Sequence, residues 1–280
     1  MESIKDYTEK LKNELKNIFL EYNSKDKQIF KLFVLQVGND PAAAALATDK
    51  IKEGKELGIK VLFKKINKIT EDKLISYIRR INKNKKIDGL SIQFPLPDNI
   101  SEDAVKAAIS PDKDVEGMNP NSEIYDCYAS GTIKYLKDQS FAFNGKNVLL
   151  IGAGDALEDE FIDLLLYEKS TLAIAHSYTP VIELKKFIEI SDLIITEVKK
   201  PNTLTANMKF KESSIVIDES LNKLDNGILL GDCEKNLSVE FQSEMPNGMD
   251  ILVKTIMFKN LLGIVEKKYS LLEVKDDKEK

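Results

Sequence analysis

The sequence predicts an α/β fold built from two parallel-sheet domains. Strand-like apolar runs alternate with helix-like amphipathic stretches, the alternation restarts after about residue 120, and 280 residues suffice for two modest domains. The opening "MESIKDYTEKLKNEL" is a charged amphipathic helix rather than a cleavable leader. "IFKLFVLQVG" is a buried strand ending near Gly38, and "PAAAALATDKIKEGKELG" a helix. Pro41 is tolerated in that helix's first turn, and Gly58 is its stop. "KVLFKKI" is a strand, and "TEDKLISYIRRINKN" a helix with apolar Leu74, Ile75, Ile78 and Ile81. "IDGLSIQFPLP" is a strand cut short by Pro95 and Pro97. "SEDAVKAAI" is a short helix capped by Ser101.

The second half repeats the scheme. "SGTIKYLKD" is helical, Asn144-Gly145 marks a turn, and "KNVLLIG" is a strand. "EDEFIDLLLYEK" is a helix, "STLAIAHS" a strand and "VIELKKFIEI" a helix, with "DLIITEV" and "SSIVIDES" as further strands. This is the order of a Rossmann-like domain. "ILVKTIMFKNLLGIVEKKY" is a long late helix, and "KDDKEK" a frayed charged tail. The domain boundary falls between about residues 117 and 140, where the pattern restarts.

Composition narrows the function classes. A hydrophobic fraction of 42% supports a sizeable core, and a net charge of -5 gives no bulk reason to bind nucleic acid or an anionic membrane. No apolar run approaches the roughly 20 residues that span a bilayer. Two distant cysteines, Cys127 and Cys233, and one histidine, His176, supply neither a disulfide framework nor a metal cluster. The expectation is a cytoplasmic protein with no resident metal.

"IGAGDALEDE" is the stretch closest to a ligand-binding motif. Gly152 and Gly154 follow an apolar strand with the spacing of a turn that brings backbone N–H groups to a pyrophosphate. Leu157 stands where a third glycine is usual, and Asp155, Glu158, Asp159 and Glu160 crowd the helix start. Carboxylates suit a helix N-terminus but repel a phosphate there.

Several segments together resemble the bifunctional methylenetetrahydrofolate dehydrogenase/cyclohydrolase family, the FolD proteins. "VGNDPAAAALATDK" is similar to V-G-D-D-P-A-S-x-x-Y-x-x-x-K, and "DGLSIQFPLP" to D-G-I-x-V-Q-L-P-L-P. "ISPDKDVEGMNPNS" matches I-x-P-x-K-D-V-D-G-x-x-x-x-N. The likeness continues more weakly through "AHS", "SSIVIDESLN", "GDC" and "MPNGMD" and covers nearly the whole chain.

The resemblance implies a folate domain over residues 1–118, a Rossmann-like nucleotide domain over 119–249, and a cleft between them. It also implies that the last helix, about 250–280, returns to the N-terminal domain. Lys50 falls on the catalytic lysine, which moves protons, and Gln93 on the glutamine that holds it. Glu116 falls on the aspartate that hydrogen-bonds the pterin, one methylene longer here. Leu46 stands at the pterin-stacking tyrosine, and Pro95 and Gly248 at further folate positions. Gly152, Ala153, Gly154, Ser177 and Leu221 fall on positions that contact NADP or NAD.

The implied activity is methenyltetrahydrofolate cyclohydrolase together with NAD(P)-dependent methylenetetrahydrofolate dehydrogenase, in a homodimer. The acidic loop adds the expectation that NADP binds poorly. A relative that has lost the dehydrogenase and binds a ligand or partner protein is the alternative.

Overall fold

The computed structural model describes residues 1–26, 30–152 and 160–276, with side chains described to residue 268 except those of 25 and 26. Ala153, Gly154, Asp155, Leu157, Glu158 and Asp159 of the expected phosphate turn, and the end of the charged tail, lie outside the described residues. The chain divides into two compact units. Lys10–Tyr125 with Lys254–Lys280 form one, and Asp126–Val253 with Met1–Glu9 form the other. The boundaries therefore fall inside α1 (Ile4–Asp26) and α8 (Met249–Asp276), where the sequence alone assigned each helix to one side.

The unit beginning at Lys10 is a three-stranded parallel sheet in the order β2-β1-β3. Its strands are β1 (Lys31–Val37), β2 (Lys60–Ile66) and β3 (Gly89–Gln93), and its helices α2 (Pro41–Glu56), α3 (Glu71–Lys83) and α4 (Glu102–Ala108). Helix starts follow local chemistry. The Asp40 carboxylate accepts from Ala43 N at 2.9 Å with Pro41 in the first turn, and Ser101 Oγ accepts from Ala104 N. Gly58, past the end of α2, takes φ +80°, a conformation that glycine adopts without strain.

Alternation along β3 decides what this sheet presents. Leu90 and Ile92 join Leu35, Leu74, Ile78 and Val105 in an apolar core. Each side chain so buried contributes about 1.5–3 kcal/mol. The period of two sends Gly89, Ser91 and Gln93 to the other face. There Gly89 lets the Leu261 side chain of α8 close on the strand, where a Cβ would lie 2.9 Å from it. Gly54 of α2 accommodates Phe258 of α8 in the same way.

The unit beginning at Asp126 opens with α5 (Cys127–Asp138), which starts three residues before the stretch read as helical because Asp126 caps it, accepting from Tyr128 N at 2.7 Å. A five-stranded sheet follows in the order β10-β7-β6-β4-β5, every pairing parallel. Its members are β4 (Asn147–Ile151), β5 (Thr171–Ala175), β6 (Leu193–Thr196), β7 (Ile215–Asp218) and β10 (Phe241–Gln242). Helices α6 (Glu160–Tyr167) and α7 (Val181–Ile190) supply crossovers, and β8 (Asn222–Lys223) pairs antiparallel with β9 (Leu229–Leu230). Leu149, Ile194 and Val216 are fully buried at its centre. Strand order reverses between β4 and β6, which in such sheets is where a nucleotide crevice opens.

Candidate active site

Lys50 lies on the buried stripe of α2 formed with Ala43, Ala47 and Gly54. It is only 6% exposed. Leaving an ammonium without partners at such a position costs several kcal/mol, so its surroundings must satisfy it. They do. The Lys50 Nζ donates to Ser91 Oγ at 3.1 Å and to Glu116 Oε1 in a short ion pair.

Two pieces of backbone aim Glu116 at that nitrogen. Asp114 bridges to Leu90, so the 113–116 segment runs beside β3. The Asp114 carboxylate accepts from Asn119 N at 2.7 Å and from Glu116 N at 3.3 Å, closing the turn that Gly117 completes at φ +73°. Burial raises the Asp114 pKa against the pull of these N–H donors. Lys113 anchors the other end, its Nζ donating to Ile81 O at 2.9 Å and Asn84 O at 2.6 Å, the last carbonyls of α3. Burial lowers its pKa. Asn260 of α8 donates to Val115 O at 3.0 Å and holds the segment from the other side.

Gln93 is 1% exposed at the end of β3. Its Nε2 donates to Ser91 Oγ at 2.8 Å, not to a partner on Lys50. The link from Gln93 to the lysine therefore runs through a serine hydroxyl that the sequence reading passed over. The signal was present in the alternation: Ser91 is two residues before Gln93 and shares its face. Gln93 Oε1 and Glu116 Oε2 are buried without a partner among the described residues, as is the Nε2 of Gln36, which stands beside Gln93 in the parallel register.

Leu46, one turn before Lys50, is 43% exposed. Pro95 is exposed just past β3, and Pro97 packs on the Gly38 turn. Gly248 belongs to the other unit, where its N–H donates to Asp250 Oδ1 at 2.8 Å. A Cβ there would overlap the Glu244 carbonyl oxygen.

In the Asp126–Val253 unit, the strand ends carry the positions expected to meet a nucleotide. Gly152 has φ +105°, and a Cβ on it would overlap the carbonyl oxygen of Glu197, the residue after β6. Ser177 lies exposed in the turn after β5, and Leu221 is exposed after β7. Beneath them, Asp232 is fully buried and accepts from Thr196 Oγ1, Ser220 Oγ, Asn222 Nδ2, Val198 N and Lys200 N. One carboxylate thus fixes the loops after β6 and β7.

Glu219 is 3% exposed, accepts from Thr132 Oγ1, and has its Oε2 unpartnered. Burial holds its carboxyl well above the usual carboxylate range, and the nearby Glu197, Asp126 and Asp218 push the same way. Burial and then Glu219, Glu197, Asp126 and Asp250 hold the Tyr128 hydroxyl far above the ordinary tyrosine range. Cys127 is buried. Cys233 is a free thiol, with burial and Asp218 raising its pKa out of the reactive range.

A parallel-sheet unit carrying a buried, paired lysine and a doubly wound sheet in the other unit define a two-unit α/β enzyme fold. Residues 3–116 match the family model described as tetrahydrofolate dehydrogenase/cyclohydrolase, catalytic domain, and residues 126–269 the one described as its NAD(P)-binding domain. The bifunctional protein FolD of Aquifex aeolicus is 30% identical, with 96% of each chain covered. That of Aliarcobacter butzleri is 33% identical over 91% of this chain and 92% of its own. The crystal structure of the FolD enzyme of Campylobacter jejuni superposes with a TM-score of 0.88 at 28% identity, covering 94% of this chain and 97% of that one. The chain belongs to the tetrahydrofolate dehydrogenase/cyclohydrolase family and is an enzyme of one-carbon folate metabolism. No helix among the described residues is long and apolar enough to cross a membrane.

Proposed function

We propose that Lys50 is the catalytic residue of methenyltetrahydrofolate hydrolysis in the cytoplasm, with Glu116 and Gln93 as its companions. The observation that carries this is the burial of its ammonium between Glu116 and Ser91 on the strand face that also holds Gln93. In hydrolysis, water adds to the methenyl carbon and loses a proton. The carbon–N5 bond then breaks as N5 gains a proton and the added hydroxyl loses its remaining proton to solvent, leaving the formyl group on N10. One amine that accepts the first proton and returns the second serves both steps. Glu116 Oε1 accepts from the ammonium, and its Oε2 together with Gln93 Oε1, neither with a partner among the described residues, offers acceptors to a pterin.

Lys50→Met keeps most of the stem and removes the nitrogen. It should lower cyclohydrolase turnover by at least about 100-fold, the usual worth of a general acid–base group, with far-UV circular dichroism unchanged. Retained turnover would remove Lys50 from the mechanism.

The dehydrogenase half needs a dinucleotide. A bound dinucleotide would supply the hydride acceptor for the methylene carbon. The Gly152 turn at the β4/β6 reversal fits such a ligand at the level of the backbone. The turn His176–Thr179, closed by Thr179 N to His176 O at 2.9 Å, carries neither lysine nor arginine for a 2′-phosphate. With the acidic stretch from Asp155 to Glu160, this supports weak nucleotide binding and NAD in preference to NADP.

A homodimer formed along the free edge of β5 is supported by the exposed Ile174, Leu166 and Tyr167. Sedimentation velocity of the wild type and of Ile174→Lys tests it: a monomeric wild type refutes a dimer, and a dimeric variant refutes this edge.

A further inference from the structure

Resting on the reading of Lys50 as the proton-carrying group, we propose that Ser91 is a positioning residue for it, and that Gln93 acts on Lys50 only through the Ser91 hydroxyl. In the observed arrangement the two meet at one oxygen: Gln93 Nε2 and the Lys50 ammonium are both donors, and Ser91 Oγ accepts from both, at 2.8 and 3.1 Å, while Gln93 Oε1 takes no hydrogen bond among the described residues.

Ser91 also does what Glu116 cannot. A carboxylate oxygen accepts only, so its bond to the nitrogen weakens to a neutral N–H···O contact when the lysine becomes an amine, and it can donate nothing to the amine's lone pair. A hydroxyl accepts from the ammonium and donates to the amine, so it holds Nζ through the whole proton cycle. The hydrogen bond from Gln93 occupies one lone pair and fixes the hydroxyl's orientation toward Lys50. It also leaves Gln93 Oε1 without a protein partner and so free for substrate. Ser91 is buried in the middle of β3, level with Val34 of β1, so strand pairing holds the hydroxyl in place.

A cycle of Ser91→Ala, Gln93→Ala and the double variant tests the inference, read first by competitive acetylation of Lys50 across pH with peptide mass spectrometry. That readout follows the amine whether or not it is catalytic. Each single variant should change the Lys50 labelling rate by about threefold or more, and the double should match Ser91→Ala, the signature of residues acting in series. Ser91→Thr, which keeps the hydroxyl, should restore the wild-type profile. In cyclohydrolase assays Ser91→Ala should lower kcat with KM for methenyltetrahydrofolate little changed, whereas Gln93→Ala, which also removes an acceptor for substrate, should change both.

Equal Gln93→Ala effects on labelling with and without Ser91 would overturn the relay, as would a Ser91→Ala profile identical to wild type. Should Ser91→Thr fail to fold, Ser91→Cys, a weaker donor and acceptor, should fall between alanine and wild type; no difference from alanine counts against the relay. Coupled labelling with unchanged kcat would leave the relay standing and refute the catalytic assignment of Lys50 instead.

Discussion

Glu219→Gln should stabilise the folded chain at neutral pH, and the gain should grow as pH rises. Burial at 3% exposure, with only Thr132 Oγ1 donating to the carboxyl, raises the pKa of Glu219 in the folded protein well above its ordinary 4.5. A group raised in this way contributes stability that is full below its unfolded pKa and is lost as pH climbs toward the folded value. Above its ordinary pKa the unfolded glutamate is ionised, while the folded one, its pKa raised, keeps its proton to higher pH. In that window folding takes up a proton, and each pH unit costs the wild type up to about 1.4 kcal/mol. Glutamine is uncharged in both states and its carbonyl still accepts from Thr132. Asp114 and Asp218, also raised by burial, are common to both proteins and cancel in the difference. Urea unfolding at about pH 5.5, 6.5 and 7.5, followed by far-UV circular dichroism, measures the gap directly. A gap that stays constant, or narrows with rising pH, would refute a neutral buried Glu219.

Leu46→Tyr should tighten binding of a folate analogue in calorimetric titration, because the exposed leucine covers a ring without offering a hydroxyl. Abolished binding would mean that the surface around Lys50 has been rebuilt. Calorimetry should show little saturable NADP binding at about millimolar concentration, with NAD slightly better, since electrostatic repulsion grows with each ligand phosphate. Replacing Glu158, Asp159 and Glu160 with Gly, Arg and Pro should improve both, and micromolar binding by the parent would overturn the electrostatic argument.

Much of the fold was legible because local and global signals agree. Asp40 before Pro41 and Ser101 before Glu102 mark helix starts that the structure places there, and the apolar runs in "KNVLLIG" and "SSIVIDES" became β4 and β7. The two-residue strands β8, β9 and β10 were not legible, since a pair of residues carries no periodicity. Nor was the placement of the first nine residues with the later unit, which depends on contacts such as Tyr7 Oη to Asp138 at 2.6 Å. Within the candidate site, Lys50 and Glu116 are expectations of the family motif, because a lysine on a helix looks like any solvated lysine until its burial is known. Ser91 was missed because a single serine in an apolar strand has little weight, although its parity with Gln93 gave its direction. Asp232, the organiser of two loops, showed only as one letter of "GDC".

The Gly152 turn bears on how such sequences are compared. Its glycine is required where the chain passes the Glu197 carbonyl, so any side chain would break the packing of β4 against the end of β6. That requirement operates in an empty protein as much as in a loaded one. A lineage that ceased to use its dinucleotide would still be selected to keep this glycine, while the residues that only served phosphate drifted toward whatever a helix N-terminus favours, including acids. The first glycine of the fingerprint therefore dates the architecture, and the positions after it date the use.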